Sequence, residues 1–202
     1  MENSETINLA AQLNLAQDLL IKFFNETATL IKEVEGQLKR LPEEFVMLQT
    51  TGYGVITIGS AGIEFPDLWL SPYFGVVFAP SKFVEKDKRG TKTKQQPPLK
   101  VVFMKIVLRD DNIKEPEMWL GVLNDIEFHA SYAKFEKVLS HLFYSLIKYE
   151  KKWQDKRGPF VIESTESKWL KFKGKLIRLD LLSLTNSEDV SNKIIKAVSN
   201  LS

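Results

Sequence analysis

Residues 99–129 read LKVVFMKIVLRDDNIKEPEMWLGVLNDIEFH, and their alternation decides the fold. In 99–109, Val102, Met104, Ile106 and Leu108 fall on one face of an extended chain. Val101, Phe103, Lys105, Val107 and Arg109 fall on the other. In 118–129, Met118, Leu120, Val122, Ile126 and Phe128 share a face, and Asp125, Glu127 and His129 oppose them. One apolar face and one mixed face is the pattern of an antiparallel sheet that is covered on one side and wet on the other. Asp110-Asp111-Asn112 supplies turn chemistry between the two strands, which makes them a hairpin with a longer loop.

The same period appears elsewhere. Residues 45–51, 53–58, 73–79, 160–165, 169–172 and 175–184 are rich in Val, Ile, Phe, Leu and Tyr and read as strands. Lys173-Gly174 reads as a tight turn between the last two. Two stretches have the helical period instead. Residues 131–153 gather Phe135, Val138, Leu139, Leu142, Phe143, Leu146, Ile147 and Trp153 on one arc behind Ser131 as N-cap. Residues 187–201 gather Val190, Ile194, Ile195, Val198 and Leu201 behind Ser187. Strands clustered between helices predict an α+β fold: a meander-like antiparallel sheet, these two helices packed on one face, and a long N-terminal helix.

That first helix is predicted over residues 5–40. Leu9, Leu13, Ala16, Leu20, Phe23, Thr27, Leu30 and Val34 alternate steps of four and three, the spacing of a helix–helix seam. Leu19, Phe24 and Ile31 widen the stripe, and Pro42 marks its end. At ~1.5 Å per residue the helix would be about 50 Å long, more than a small sheet can cover. Residues 1–41 are therefore expected to form an oligomerisation element, with Leu9, Leu13, Leu20, Phe23, Leu30 and Val34 at the contact and a homodimer as the outcome. The alternative is a break near Asn25 or Gly36, with the helix folded over its own domain. Residues 42–202 form the α+β domain, interrupted by a basic, mobile loop at 82–98.

Composition removes several functions. The 202 residues include no cysteine, which excludes thiol nucleophiles, disulfide scaffolds and cysteine-bound zinc or iron–sulfur centres. Leu, Ile, Val and Phe make up about a third of the chain, well above the level at which chains stay disordered. No apolar run approaches the ~18 residues of a membrane helix, and the first nine residues lack the features of a secretory signal. The expected location is the cytoplasm. Net charge is +2, but residues 1–80 carry 4 basic and 10 acidic side chains while 81–202 carry 24 and 16. Such a split can mark a nucleic-acid face, a contact between subunits, or ordinary solvation.

No motif assigns chemistry. Gly52-Tyr53-Gly54 and Gly59-Ser60-Ala61-Gly62 match neither phosphate-loop spacing and read as turns. Asp125, Glu127 and His129, aligned on one strand face, are candidate ligands for a divalent metal, but alternate side chains on a strand stand ~7 Å apart. Lys151, Lys152, Lys156, Arg157, Lys171, Lys173 and Lys175, with nearby aromatics, are candidate nucleic-acid contacts, although lysine also protects sheet edges. Pro66-Asp67 with Glu166-Ser167-Lys168 resembles the short signature of restriction-endonuclease-like nucleases, but 99 residues separate Asp67 from Glu166 where that family keeps these elements close. No cofactor is implied. The expectation is a non-enzymatic interaction or regulatory protein that self-associates through its first helix, with a further protein partner among its expected contacts. A nucleic-acid binder, or a divalent-metal hydrolase or nuclease using the basic C-terminal half, is the alternative.

Overall fold

The computed structural model describes residues 2–47, 56–57, 73–82, 99–108, 115–128, 156, 158–164, 170–184 and 186–201. Helix α1 (Glu2–Leu38) is followed by strands β1 (Phe45–Met47), β2 (Ile56–Thr57), β3 (Tyr73–Pro80), β4 (Leu99–Val107), β5 (Glu117–Phe128), β6 (Phe160–Ser164) and β7 (Leu170–Asp180). A 3-10 turn at Leu181–Ser183 leads into a last helix over 187–201, called α2. The fold is α+β with an antiparallel sheet, in the order β1-β3-β4-β5-β7-β6. The helix expected over 131–153, the loop over 83–98 and the glycine-rich turns at 52–54 and 59–62 lie outside the described residues.

β3, β4 and β5 form a meander, and β7 then inserts between β5 and β6. β1 and β2 are two pieces of one lane along the same edge of β3, since Met47 pairs with Phe78 and Ile56 with Gly75. β7 corrects the sequence reading. Residues 170–180 form one unbroken strand with no turn at Lys173-Gly174. Gly174 is needed for a different reason: a Cβ there would be driven into the carbonyl of Val122 and the side chain of Leu123 on β5. A glycine required by close approach of a neighbouring strand looks, in sequence, like a glycine required by a turn.

β5 holds a second correction. Its register against β7 slips between Asn124↔Lys173 and Glu127↔Lys171, and Asp125 adopts φ 51°. This β-bulge inserts a residue and reverses the alternation beyond it. Ile126 consequently pairs with Leu99, in step with Val101↔Leu123, and not on the face of Met118, Leu120 and Val122.

One face of the sheet carries Val76, Phe78, Val102, Met104, Ile106, Met118, Leu120 and Val122, all buried. Onto it pack Ile31, Val34 and Leu38 from α1 and Val190, Ile194, Val198 and Leu201 from α2. α2 widens into a π-helical stretch over Val190–Ile195, where the Lys196 N–H reaches back to the Ser191 carbonyl. Its N-cap is Asn186, not Ser187: the Asn186 side chain accepts from the Asp189 N–H at 3.0 Å. α1 runs unbroken past Asn25 and Gly36 and closes when Arg40 and Leu41 donate to Gln37 and Leu38, a tightened last turn ahead of Pro42.

The opposite face differs from the expectation of a wet surface. Val101, Phe103, Val107, Trp119, Leu123, Ile126, Phe160, Ile162, Phe172 and Leu176 are buried there too, and Lys105 is only 2 % exposed. Lys105, Trp119 and Arg178 are direct cross-strand partners on β4, β5 and β7. The Lys105 Nζ lies 5.3 Å from the centre of the Trp119 ring and the Arg178 guanidinium 5.1 Å from it. Glu117 anchors the row, accepting from Arg178 Nε and Nη2 at 2.7 Å each and from the Trp119 indole N–H at 3.1 Å. Cation–π attraction and a bidentate ion pair offset the desolvation of charges that in sequence look like surface residues.

Candidate functional site

α1 is 37 residues long, about 55 Å at ~1.5 Å per residue. Among the described residues, only its C-terminal part meets the sheet. Thr27, Ile31, Val34 and Leu38 are buried, and Phe23 and Leu30 are half-buried against the core. Toward the N-terminus the same stripe continues without cover. Leu9, Leu13 and Leu20 are exposed, as are Leu15, Leu19, Ile21 and Phe24. Of the expected contact residues, Val34 therefore belongs to the chain's own core, Phe23 and Leu30 lie at its margin, and Leu9, Leu13 and Leu20 project beyond it. Leu15 and Ile21 were not singled out by the heptad spacing, because they sit off its line.

The alignment of the two parts is geometric. Leu9, Leu13, Ala16 and Leu20 precede Thr27, Ile31, Val34 and Leu38 by eighteen residues each. At ~3.6 residues per turn that offset is five whole turns, so the exposed four lie directly in line with the buried four. A row of exposed leucines along one helix line is an uncompensated cost in a lone molecule, at roughly 25 cal/mol per Å² of apolar surface left in water.

Where α1 leaves the sheet, a groove of about 630 Å³ opens between it and the segment joining β7 to α2. Phe23, Thr27 and Leu30 line one wall, and Leu181, Leu182 and Val190 the other. Leu182 is 58 % exposed and extends the uncovered apolar surface from the helix onto the body. The wall is held in shape locally. Asp180 accepts from the Leu182 N–H at 2.9 Å, Lys193 Nζ donates to the Ser183 carbonyl at 2.7 Å, and Gln37 Nε2 donates to the Ser187 carbonyl at 3.3 Å.

The structure brings together three of the basic candidates. Lys171, Lys173 and Lys175 are all exposed and share one face of β7. That face also carries acid. Lys173 Nζ lies 3.6 Å from the Glu163 carboxylate on β6, and Lys171 stands opposite Glu127 on β5 in the strand register. Cross-strand pairing of opposite charges stabilises a sheet and lowers the net field that a polyanion would feel. Lys156 is exposed, with its Nζ 5.8 Å from the Phe160 ring centre. Lys151, Lys152 and Arg157 lie outside the described residues.

The three aligned metal candidates are separated. Asp125 occupies the bulge with an exposed side chain, Glu127 follows the register shift, and His129 lies outside the described residues, as do Asp67, Glu166 and Lys168. Among the described residues no group of three or more His, Asp or Glu side chains comes close enough to hold a metal ion, and no helix is long and apolar enough to cross a membrane. The buried row Lys105–Trp119–Arg178–Glu117 escaped the sequence reading. Its signal was present as Lys105 inside the apolar run 101–108 and a glutamate immediately before 118–129. No protein-family model matches the chain, and neither does any curated protein or solved structure.

Proposed function

We propose that this is a non-enzymatic interaction protein that self-associates through α1. The observation that supports this reading is the uncovered stripe Leu9, Leu13 and Leu20, in line with the core-facing stripe of the same helix. An apolar helix line that its own body does not reach is the feature by which amphipathic helices dock on a second helix. The sheet and α2 then serve as a rigid base that fixes the direction of the projecting helix.

The test is gel filtration of the full chain beside Leu13→Glu/Leu20→Glu. Both positions are exposed, so the variant keeps the packed sheet and its cooperative unfolding, while a carboxylate at the contact carries a heavy desolvation cost. The expected result is a dimer for the original chain and a monomer for the variant. A monomer in both cases contradicts the proposal.

A further inference from the structure

We infer that two copies pair through α1 in antiparallel orientation, the N-terminal end of each helix running toward the groove beside Leu182 of the other. This rests on the self-association proposed above and adds its geometry. The partner would sit on Leu9, Leu13, Ala16 and Leu20, and these lie on the same side of α1 as the chain's own sheet, end to end with it. A parallel partner helix laid on that stripe would run, toward its C-terminus, into the space the sheet and α2 occupy. An antiparallel one runs the opposite way, so that only its first two turns come alongside the other body, at the groove lined by Thr27, Leu30 and Leu182. Steric exclusion selects the antiparallel arrangement.

The register follows from the extent of the stripe. Its uncovered part spans Leu9 to Phe24. A two-fold axis between Ala16 and Gln17 sets Leu9 opposite Phe24 and Leu13 opposite Leu20, an isologous contact that closes on itself. Residues 3–8 of one helix then pass alongside residues 25–30 of the other, at the groove whose far wall holds Leu181, Leu182 and Leu184.

The chemistry of the stripe favours a second copy. Residues 6–17 carry no charge, and the span from Leu9 to Phe24 carries only Asp18 and Lys22. A neutral surface meets its own copy without like-charge repulsion. A helix that lies in a lipid interface carries Lys and Arg on its polar face, whereas the first base of this chain is Lys22 and the amides Asn8, Gln12, Asn14 and Gln17 occupy the uncharged stretch.

The chain has no cysteine, so each introduced thiol reports alone. In the antiparallel register two Ala16 positions lie about 2 Å apart along the axis and two Leu9 positions about 22 Å apart, the second beyond disulfide reach. Under mild oxidation of the full chain, Ala16→Cys gives a linked dimer, Leu9→Cys gives none, and a mixture of Leu9→Cys with Phe24→Cys gives a linked heterodimer. Efficient linkage of Leu9→Cys with itself overturns the antiparallel geometry and leaves self-association standing. A sedimenting dimer that links at neither Ala16 nor the Leu9/Phe24 pair overturns the register. No linkage anywhere, with a monomer at about 100 μM, overturns self-association itself.

Discussion

Leu13 and Ile31 lie on one line of helix α1, five turns apart, yet Leu13 is 61 % exposed and Ile31 6 %. Helix, face and chemistry are the same. The difference is that the sheet reaches Ile31 and stops short of Leu13. The two positions therefore separate the helix's internal work from its external work.

Ile31→Ala should lower the unfolding free energy of the chain by about 2–5 kcal/mol, through lost burial and the cavity left behind. Leu13→Ala should leave the unfolding of the dissociated chain within about 0.5 kcal/mol and weaken only the dimer. Urea denaturation read by tryptophan fluorescence, at low and high protein concentration, distinguishes the two. Equal losses in both variants at low concentration would show that Leu13 is packed within its own chain.

Hydrogen exchange should follow the same division. Amides of residues 28–38 should be protected at every concentration, because packing on the sheet holds that end of the helix. Amides of residues 9–20 should be protected only in concentrated solution and exchange rapidly on dilution, since a helical segment without tertiary contacts frays. Mass spectrometry of peptic peptides over a dilution series measures this.

The Glu117–Arg178 pair is mostly buried, with the Arg178 side chain 4 % exposed. Glu117→Gln removes the carboxylate charge that holds Arg178 in a bidentate pair beside Trp119. It should destabilise the chain by about 3 kcal/mol, as breaking a buried pair from one side does. Glu117→Gln together with Arg178→Met should recover part of that loss. Thermal or urea unfolding of the two variants checks the sign of the recovery.

Gly174→Ala should destabilise by about 1–3 kcal/mol, because the added methyl meets the backbone of β5 and the strands must separate to admit it. Urea unfolding of the variant beside the original chain measures the loss, and an unchanged midpoint would contradict the close approach of β5 to Gly174.

Lys171→Gln/Lys173→Gln/Lys175→Gln should change unfolding free energy by less than about 1 kcal/mol, as exposed charge pairs do. The original chain should show no binding to a single-stranded oligonucleotide at physiological salt. A fluorescence-anisotropy titration with a steep salt slope, abolished in the triple variant, would instead assign the face to nucleic acid.

The sequence carried the periodic parts of this molecule openly. The long α1 stripe, the β4–β5 hairpin and the amphipathic line of α2 follow from spacing alone. What it concealed was non-periodic. The bulge at Asp125 is a one-residue insertion that only pairing with β4 and β7 reveals, and it moves Ile126 to the other face. Gly174 carries the same letter whether a turn or a close neighbour demands it. Lys105 and Arg178 became buried because Trp119 and Glu117 stand beside them across the sheet, a proximity that sequence separation hides. For the candidate site, spacing marked the stripe, and the position of the sheet edge decided which of its residues remained uncovered.

Sedimentation equilibrium of the unaltered full chain, across a wide concentration range, tests the central claim most directly. Self-association through α1 predicts a mass that rises toward twice that of the single chain as concentration increases. A mass fixed at that of one chain throughout the range would contradict it.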